Sequence, residues 1–131
     1  MQKHGILNRD IAEVLAKLGH TDQIVVADCG LPIPDGVKCI DLSLKLGTPS
    51  FTDVLDVVMA EMEVEHLLAA DEMKAANPGL YRHFTETYQP PVTWVKHEQL
   101  KKDCANVKAV IRTGENTPFA NVILQAGVIF G

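Results

Sequence analysis

Ile24-Val25-Val26-Ala27-Asp28-Cys29-Gly30 is the stretch that decides how the rest of the chain reads. Four apolar residues, three of them β-branched, stand together without polar alternation. A run that short, closed by turn residues, predicts a strand buried on both faces. It stops at Asp28, and Pro32, Pro34 and Gly36 then impose an irregular loop. A strand buried on both faces needs helices packed on each side of its sheet, so the flanking segments must supply them.

They do. Upstream, Ile11, Val14, Leu15 and Leu18 mark one face of a helix over Asn8 to Leu18, with Asn8 as its cap and Gly19 at its end; His20 follows directly. Downstream, Lys38 to Leu44 alternates as a second strand. Pro49 and Ser50 open a helix carrying Phe51, Val54, Leu55, Val58 and Met62, with Ser50 and Asp53 as a capping pair. His66 to Ala70 is a third strand. Asn77-Pro78 starts another helix, since proline suits the first helical position. Val92 to Val95 is a fourth strand, with a helical turn from Glu98. Ala109 to Ile111 and Val122 to Leu124 read as strands either side of a polar loop, and Val128 to Phe130 as a closing strand. The whole is an α/β chain, one compact domain over residues 1–131 with a largely parallel sheet flanked by helices.

Composition narrows the function. A net charge of -5 disfavours binding nucleic acid through its phosphates. Cys29, Cys39 and Cys104 are odd in number and widely spaced, which suits free thiols in a reducing compartment. Residues Met1 to Asn8 lack a signal core, and no apolar run approaches the roughly 18 residues of a membrane span. The expected setting is cytoplasmic, with no membrane partner. A 131-residue domain that is 47% hydrophobic also leaves apolar surface for self-association.

In sheets of this kind ligands sit at the carboxyl ends of strands. That rule singles out Asp28 after the first strand, His97 after the fourth, and the loop Arg112 to Asn121. Each has an ordinary reading too: a turn residue, a helix-start residue, and an Arg112–Glu115 pair across a turn. His20, between a helix end and a strand, is either a cation at the negative end of a helix dipole or a general acid–base. His4, His66 and His83 read as structural or surface residues, and Asp71-Glu72 as an ordinary exposed acid pair. There is no phosphate loop, dinucleotide fingerprint, metal-ligand spacing or G-x-S-x-G elbow. The remaining set of His, Asp and Asn suits proton transfer on a hydroxyl-rich ligand.

Several motifs resemble the D-ribose pyranase family when taken together in order. They are Lys3-His4-Gly5-Ile6-Leu7-Asn8, Leu18-Gly19-His20-Thr21-Asp22, Ala27 to Pro34, Asp41-Leu42-Ser43-Leu44, and Ile111 to Glu115 with Thr117-Pro118. The L-fucose mutarotases are a sister group that shares the Gly-His-Asp plan; Leu31-Pro32-Ile33-Pro34 favours the ribose branch. The resemblance implies a cofactor-independent isomerase that interconverts the pyranose and furanose forms of ribose. It implies a homo-oligomer, typically a decamer of two stacked pentameric rings. It puts the proton donor on His20 and sugar contacts on Asp28, His97, Phe119, Ala120 and Asn121, with Lys101 a weaker candidate. The family usually has Tyr where this chain has Phe119, which keeps a stacking ring and loses a hydroxyl. Two other readings stand beside this one: a non-catalytic sugar-binding protein serving uptake, and a mutarotase for another sugar such as L-fucose.

Overall fold

The computed structural model describes residues 1–131. Its strands are β1 (Gln23–Ala27), β2 (Lys38–Asp41), β3 (Val64–Ala70), β4 (Val92–Val95), β5 (Ala109–Arg112) and β6 (Val122–Ala126). Its helices are α1 (Arg9–Lys17), α2 (Phe51–Glu61), α3 (Met73–Ala76), α4 (Pro78–Thr87) and α5 (His97–Asp103). The sheet order is β2-β5-β1-β6-β3-β4. β1, β2 and β5 are mutually parallel, as are β3 and β4, while β6 runs antiparallel to both β1 and β3. One reversed strand in the middle therefore joins two parallel halves.

The unalternating run of β1 is explained by its two faces. Ile24 and Val26 enter a core with Ile11 of α1, Phe51 and Leu55 of α2, and Phe84 of α4. Val25 and Ala27 enter a smaller core with Leu31, Leu100 of α5, Cys104 and Val107. All four strand residues are buried. Each large side chain so buried contributes about 1.5–3 kcal/mol, which makes β1 the axis of the domain. The Asn8 side chain accepts the N–H groups of Asp10 and Ile11, and Ser50 accepts that of Asp53, so both helix starts are capped as expected. Pro78 occupies the start of α4.

Four expectations need correction. The segment Val128 to Phe130 is not a strand: it follows β6 directly, and both flanks of β6 are already paired with β1 and β3. Ile129 and Phe130 are instead exposed, at 91% and 77%. β2 ends at Asp41 rather than Leu44, because the Asp41 carboxylate accepts the Ser43 N–H and turns the chain. α1 ends at Lys17 with Leu18 extended, so Gly19 is not its left-handed terminator. The Asp22 carboxylate takes the Gly19 N–H and closes a separate turn around His20. Arg112 pairs with Asp41 rather than Glu115, and its guanidinium also donates to the Cys29 carbonyl.

Candidate functional site

Asp28, His97 and the Arg112–Asn121 loop all lie at the carboxyl end of the parallel strands, where the sheet rule placed them. β6 is reversed, so its first residues return to that same edge. Asn121 is fully buried there, and its Oδ1 accepts the Asp28 N–H at 2.9 Å while its Nδ2 donates to Asp28 Oδ2 at 3.0 Å. The other Asp28 oxygen accepts the Gly30 N–H at 2.9 Å. Asp28 thus sits half-buried in a single orientation. Asn121 stands behind it as its holder, a role the sequence reading did not separate from direct sugar contact.

The loop before Asn121 is equally fixed. Thr113 is fully buried and donates through its hydroxyl to the Ala27 carbonyl at 2.7 Å, tying β5 to the end of β1. A Cβ on Gly114 would lie 2.3 Å from the Thr48 carbonyl oxygen, so only glycine fits. Glu115 accepts the first N–H of α2 at 2.9 Å and the Thr117 hydroxyl at 2.8 Å. Phe119 then takes a left-handed backbone, with φ of 59°. Its ring meets the His97 ring edge to face, with centroids 5.1 Å apart at 78°. Ala120 is buried between Phe119 and Asn121.

His97 opens α5, and its backbone N–H donates to both oxygens of Glu72 at 3.0 and 3.1 Å. A carboxylate there satisfies a helix-start N–H and favours the positive helix end. The Nδ1 of His97 is buried and has no hydrogen-bond partner within the chain. On the far side, Asn77 donates to the Thr117 hydroxyl at 3.0 Å and to the Pro118 carbonyl at 2.9 Å. Glu72 and Asn77 therefore hold the two rings from one segment. The sequence reading missed both, because four helical residues between a strand and Pro78 leave too short a pattern to read. Lys101 is not brought into this group by any contact; its ammonium pairs with Glu98 at 2.8 Å.

His20 lies elsewhere. It precedes β1, whereas Asp28 follows it, and the five strand residues alone span about 13 Å between the first and last Cα. The His20 side chain is turned away as well: its Nε2 is hydrogen-bonded to Glu65 Oε2, 2.9 Å away at the start of β3. Glu65 Oε1 accepts from Gln125 at 2.8 Å. The turn is held by Thr21, which has a φ of 71° and donates its N–H to the Ala126 carbonyl, and by Asp22. A cleft of about 450 Å³ adjoins His20, lined by Leu15, Leu18, Gly127, Ile129 and Phe130 among others. Within one chain, then, Asp28, His97, Phe119 and Asn121 are gathered and His20 stands at the opposite end of the sheet. No helix is long and apolar enough to cross a membrane.

Comparison with known proteins agrees with this architecture. Residues 1–129 match the model of the RbsD / FucU transport protein family. A D-ribose pyranase of Halalkalibacterium halodurans is 62% identical over 130 residues, covering 99% of this chain and all of the relative. One of Shouchella clausii is 58% identical with the same coverage. The structure of Bacillus subtilis RbsD complexed with D-ribose superposes with a TM-score of 0.97 at 53% identity, over 99% of this chain and 100% of that one. A fucose mutarotase from Streptococcus pneumoniae, in complex with L-fucose, shares the fold at a TM-score of 0.78 and 23% identity, with 95% of each chain covered. With near-complete coverage in sequence and structure alike, the chain belongs to the D-ribose pyranase family, within the RbsD / FucU group.

Proposed function

We propose that the chain interconverts the pyranose and furanose forms of D-ribose by acid–base ring opening and reclosure. The observation that carries this reading is the likeness to the ribose-bound Bacillus subtilis structure, at 53% identity over essentially both whole chains. The site chemistry supports it. Ring opening needs a proton delivered to the ring oxygen and one removed from the anomeric hydroxyl; reclosure reverses this at another oxygen. An imidazole can do both near neutral pH, and a positioned one supplies roughly 10²–10⁴-fold. His20 carries the proton in this proposal. Asp28 and His97 take sugar hydroxyls, and the Phe119 ring packs on an apolar sugar face. Asn121 and Ala120 fix the backbone beside it, and no cofactor is required.

The separation of His20 from Asp28 requires a second copy of the chain. One protomer supplies Asp28, His97 and Phe119, and its partner brings His20 to the same sugar. Exposed Leu7, Leu44, Leu46, Val57, Ile129 and Phe130 give the assembly apolar surface to bury. A decamer of two pentameric rings in the cytoplasm is the form we propose. Magnetisation-transfer NMR on equilibrated ribose tests the activity: faster pyranose–furanose exchange is expected with the protein present, and binding without acceleration would leave only a sugar-binding role. Light scattering tests the assembly, since a 14.3 kDa species at micromolar concentration would contradict a shared site.

A further inference from the structure

We propose that Glu65 is the positioning residue for His20, holding the imidazole through Nε2 and leaving Nδ1 as the atom that exchanges protons with the sugar. The inference rests on the isomerase reading above, in which His20 carries the proton. An ionised carboxylate only accepts hydrogen bonds, so the ring nitrogen 2.9 Å from Glu65 Oε2 must bear hydrogen. The hydrogen bond from Gln125, and then that from His20, hold the Glu65 carboxyl below the usual carboxylate range, so it is ionised at neutral pH. A neutral ring with its proton fixed on Nε2 presents a bare lone pair at Nδ1. That nitrogen can take the anomeric proton and return it to a different sugar oxygen, with the same carboxylate facing the imidazolium in between.

Three features show that Glu65 is held for this position. The β3–β6 register shifts between Val64 and His66, so Glu65 is the extra residue of a bulge. Bulges bend a strand and re-aim a side chain, and they recur beside active sites. Gln125 fixes the second carboxylate oxygen at 2.8 Å, and Gln23 in turn donates to Gln125 Oε1 at 3.1 Å. The side-chain amides of β1 and β6 therefore point their hydrogens in one direction, toward Glu65. Finally, a Cβ at position 127 would lie 3.2 Å from the Cβ of Glu65; glycine there gives the bulge its room.

The experiment combines nitrogen-15 NMR of the His20 ring with ribose exchange kinetics, on the assembled wild-type protein and on Glu65→Ala and Glu65→Gln. The wild-type neutral ring is expected to carry its proton on Nε2. In Glu65→Ala the ring should relax to the mixed tautomers of a free imidazole, and saturated exchange should fall roughly 10- to 100-fold with little change in half-saturating ribose. Glu65→Gln offers one acceptor oxygen to two donors; with that oxygen on Gln125, which Gln23 holds, its NH2 faces His20, so the ring should turn to the Nδ1–H tautomer and the rate should stay low. A wild-type ring protonated on Nδ1 overturns the inference without any variant. So does a Glu65→Ala protein whose ring stays wholly on the Nε2–H tautomer, or one that keeps its rate. Wild-type protein that accelerates no exchange would instead overturn the isomerase reading itself.

Discussion

The two ends of β1 are built differently. At the Asp28 end, residues just after β1 and β5, just before β6 and at the start of α5 are held by hydrogen bonds and ring contact, and Thr113 and Asn121 have no exposed surface. At the His20 end, the imidazole is 53% exposed and held by a single carboxylate beside an apolar cleft. Binding several hydroxyls in fixed directions calls for preorganised acceptors, which the first end has. Proton transfer between successive oxygens calls for a ring that is oriented yet reachable, which the second end has. Under the proposed function, binding and catalysis can be broken separately, and only the proposed assembly joins them.

The largest effect should follow from His20→Ala. Ribose exchange is expected to drop by roughly 10²–10⁴-fold, the range of a positioned acid–base group. Ribose affinity should stay near wild type by titration calorimetry, and stability should change by no more than about 0.5 kcal/mol, as for other exposed sites. Wild-type exchange in that variant would remove His20 from the mechanism and leave the cleft beside it unexplained.

Asn121→Ala should act on the opposite pair of properties. It strips two partners from Asp28, one on its N–H and one on its carboxylate. A buried group left unpaired costs about 1–3 kcal/mol, so denaturant unfolding should show a loss of that size together with weakened ribose binding. An Asn121→Ala protein that is as stable as wild type would mean that the Asp28 end is not preorganised, and the contrast between the two ends would fail.

Phe119→Tyr is the milder probe. The ring stays against His97 and gains a hydroxyl, and one added hydrogen bond to the sugar contributes about 0.5–1.5 kcal/mol. Affinity should rise by up to about tenfold with the unfolding curve unchanged. Unaltered affinity would show that position 119 contributes only its ring.

How much of this could be read from sequence depended on whether the signal was local. β1 was legible because Ile24 to Ala27 are buried by two layers, which leaves no polar alternation. The places of Asp28 and His97 at strand ends were legible because strands can be placed from pattern, although α5 starts at His97, one residue before the expected Glu98. Glu65 was not, because a bulge is a mismatch between two strands and exists only once β3 is paired with β6. Glu72 and Asn77 were hidden for a similar reason: their partners lie 25 to 41 positions away. The closing strand was misread because apolar content at Val128 to Phe130 cannot reveal that both flanks of β6 are occupied. Ile129 and Phe130 are exposed instead, and the proposed assembly would bury them.

The smallest expected effect concerns Asp41, which steadies the Asp28 end from outside. Its carboxylate accepts from Ser43 and pairs with Arg112 at 2.9 Å, and that guanidinium also holds the Cys29 carbonyl. The Ser43 hydrogen bonds, and then Arg112, hold the Asp41 carboxyl below its ordinary value. A carboxyl with a depressed folded pKa stabilises fully above its unfolded pKa, about 3.9, and loses that contribution as pH falls through the folded value. Asp41→Asn should therefore melt slightly below wild type at pH 7, and the gap should close as pH drops below about 4. The side chain is half exposed, so solvent screening keeps the effect to that of a surface pair. Thermal unfolding from pH 7 to pH 3 measures it. A gap that stays constant would mean that Asp41 acts through packing, and that the Asp28 end owes its rigidity to Asn121 and Thr113 alone.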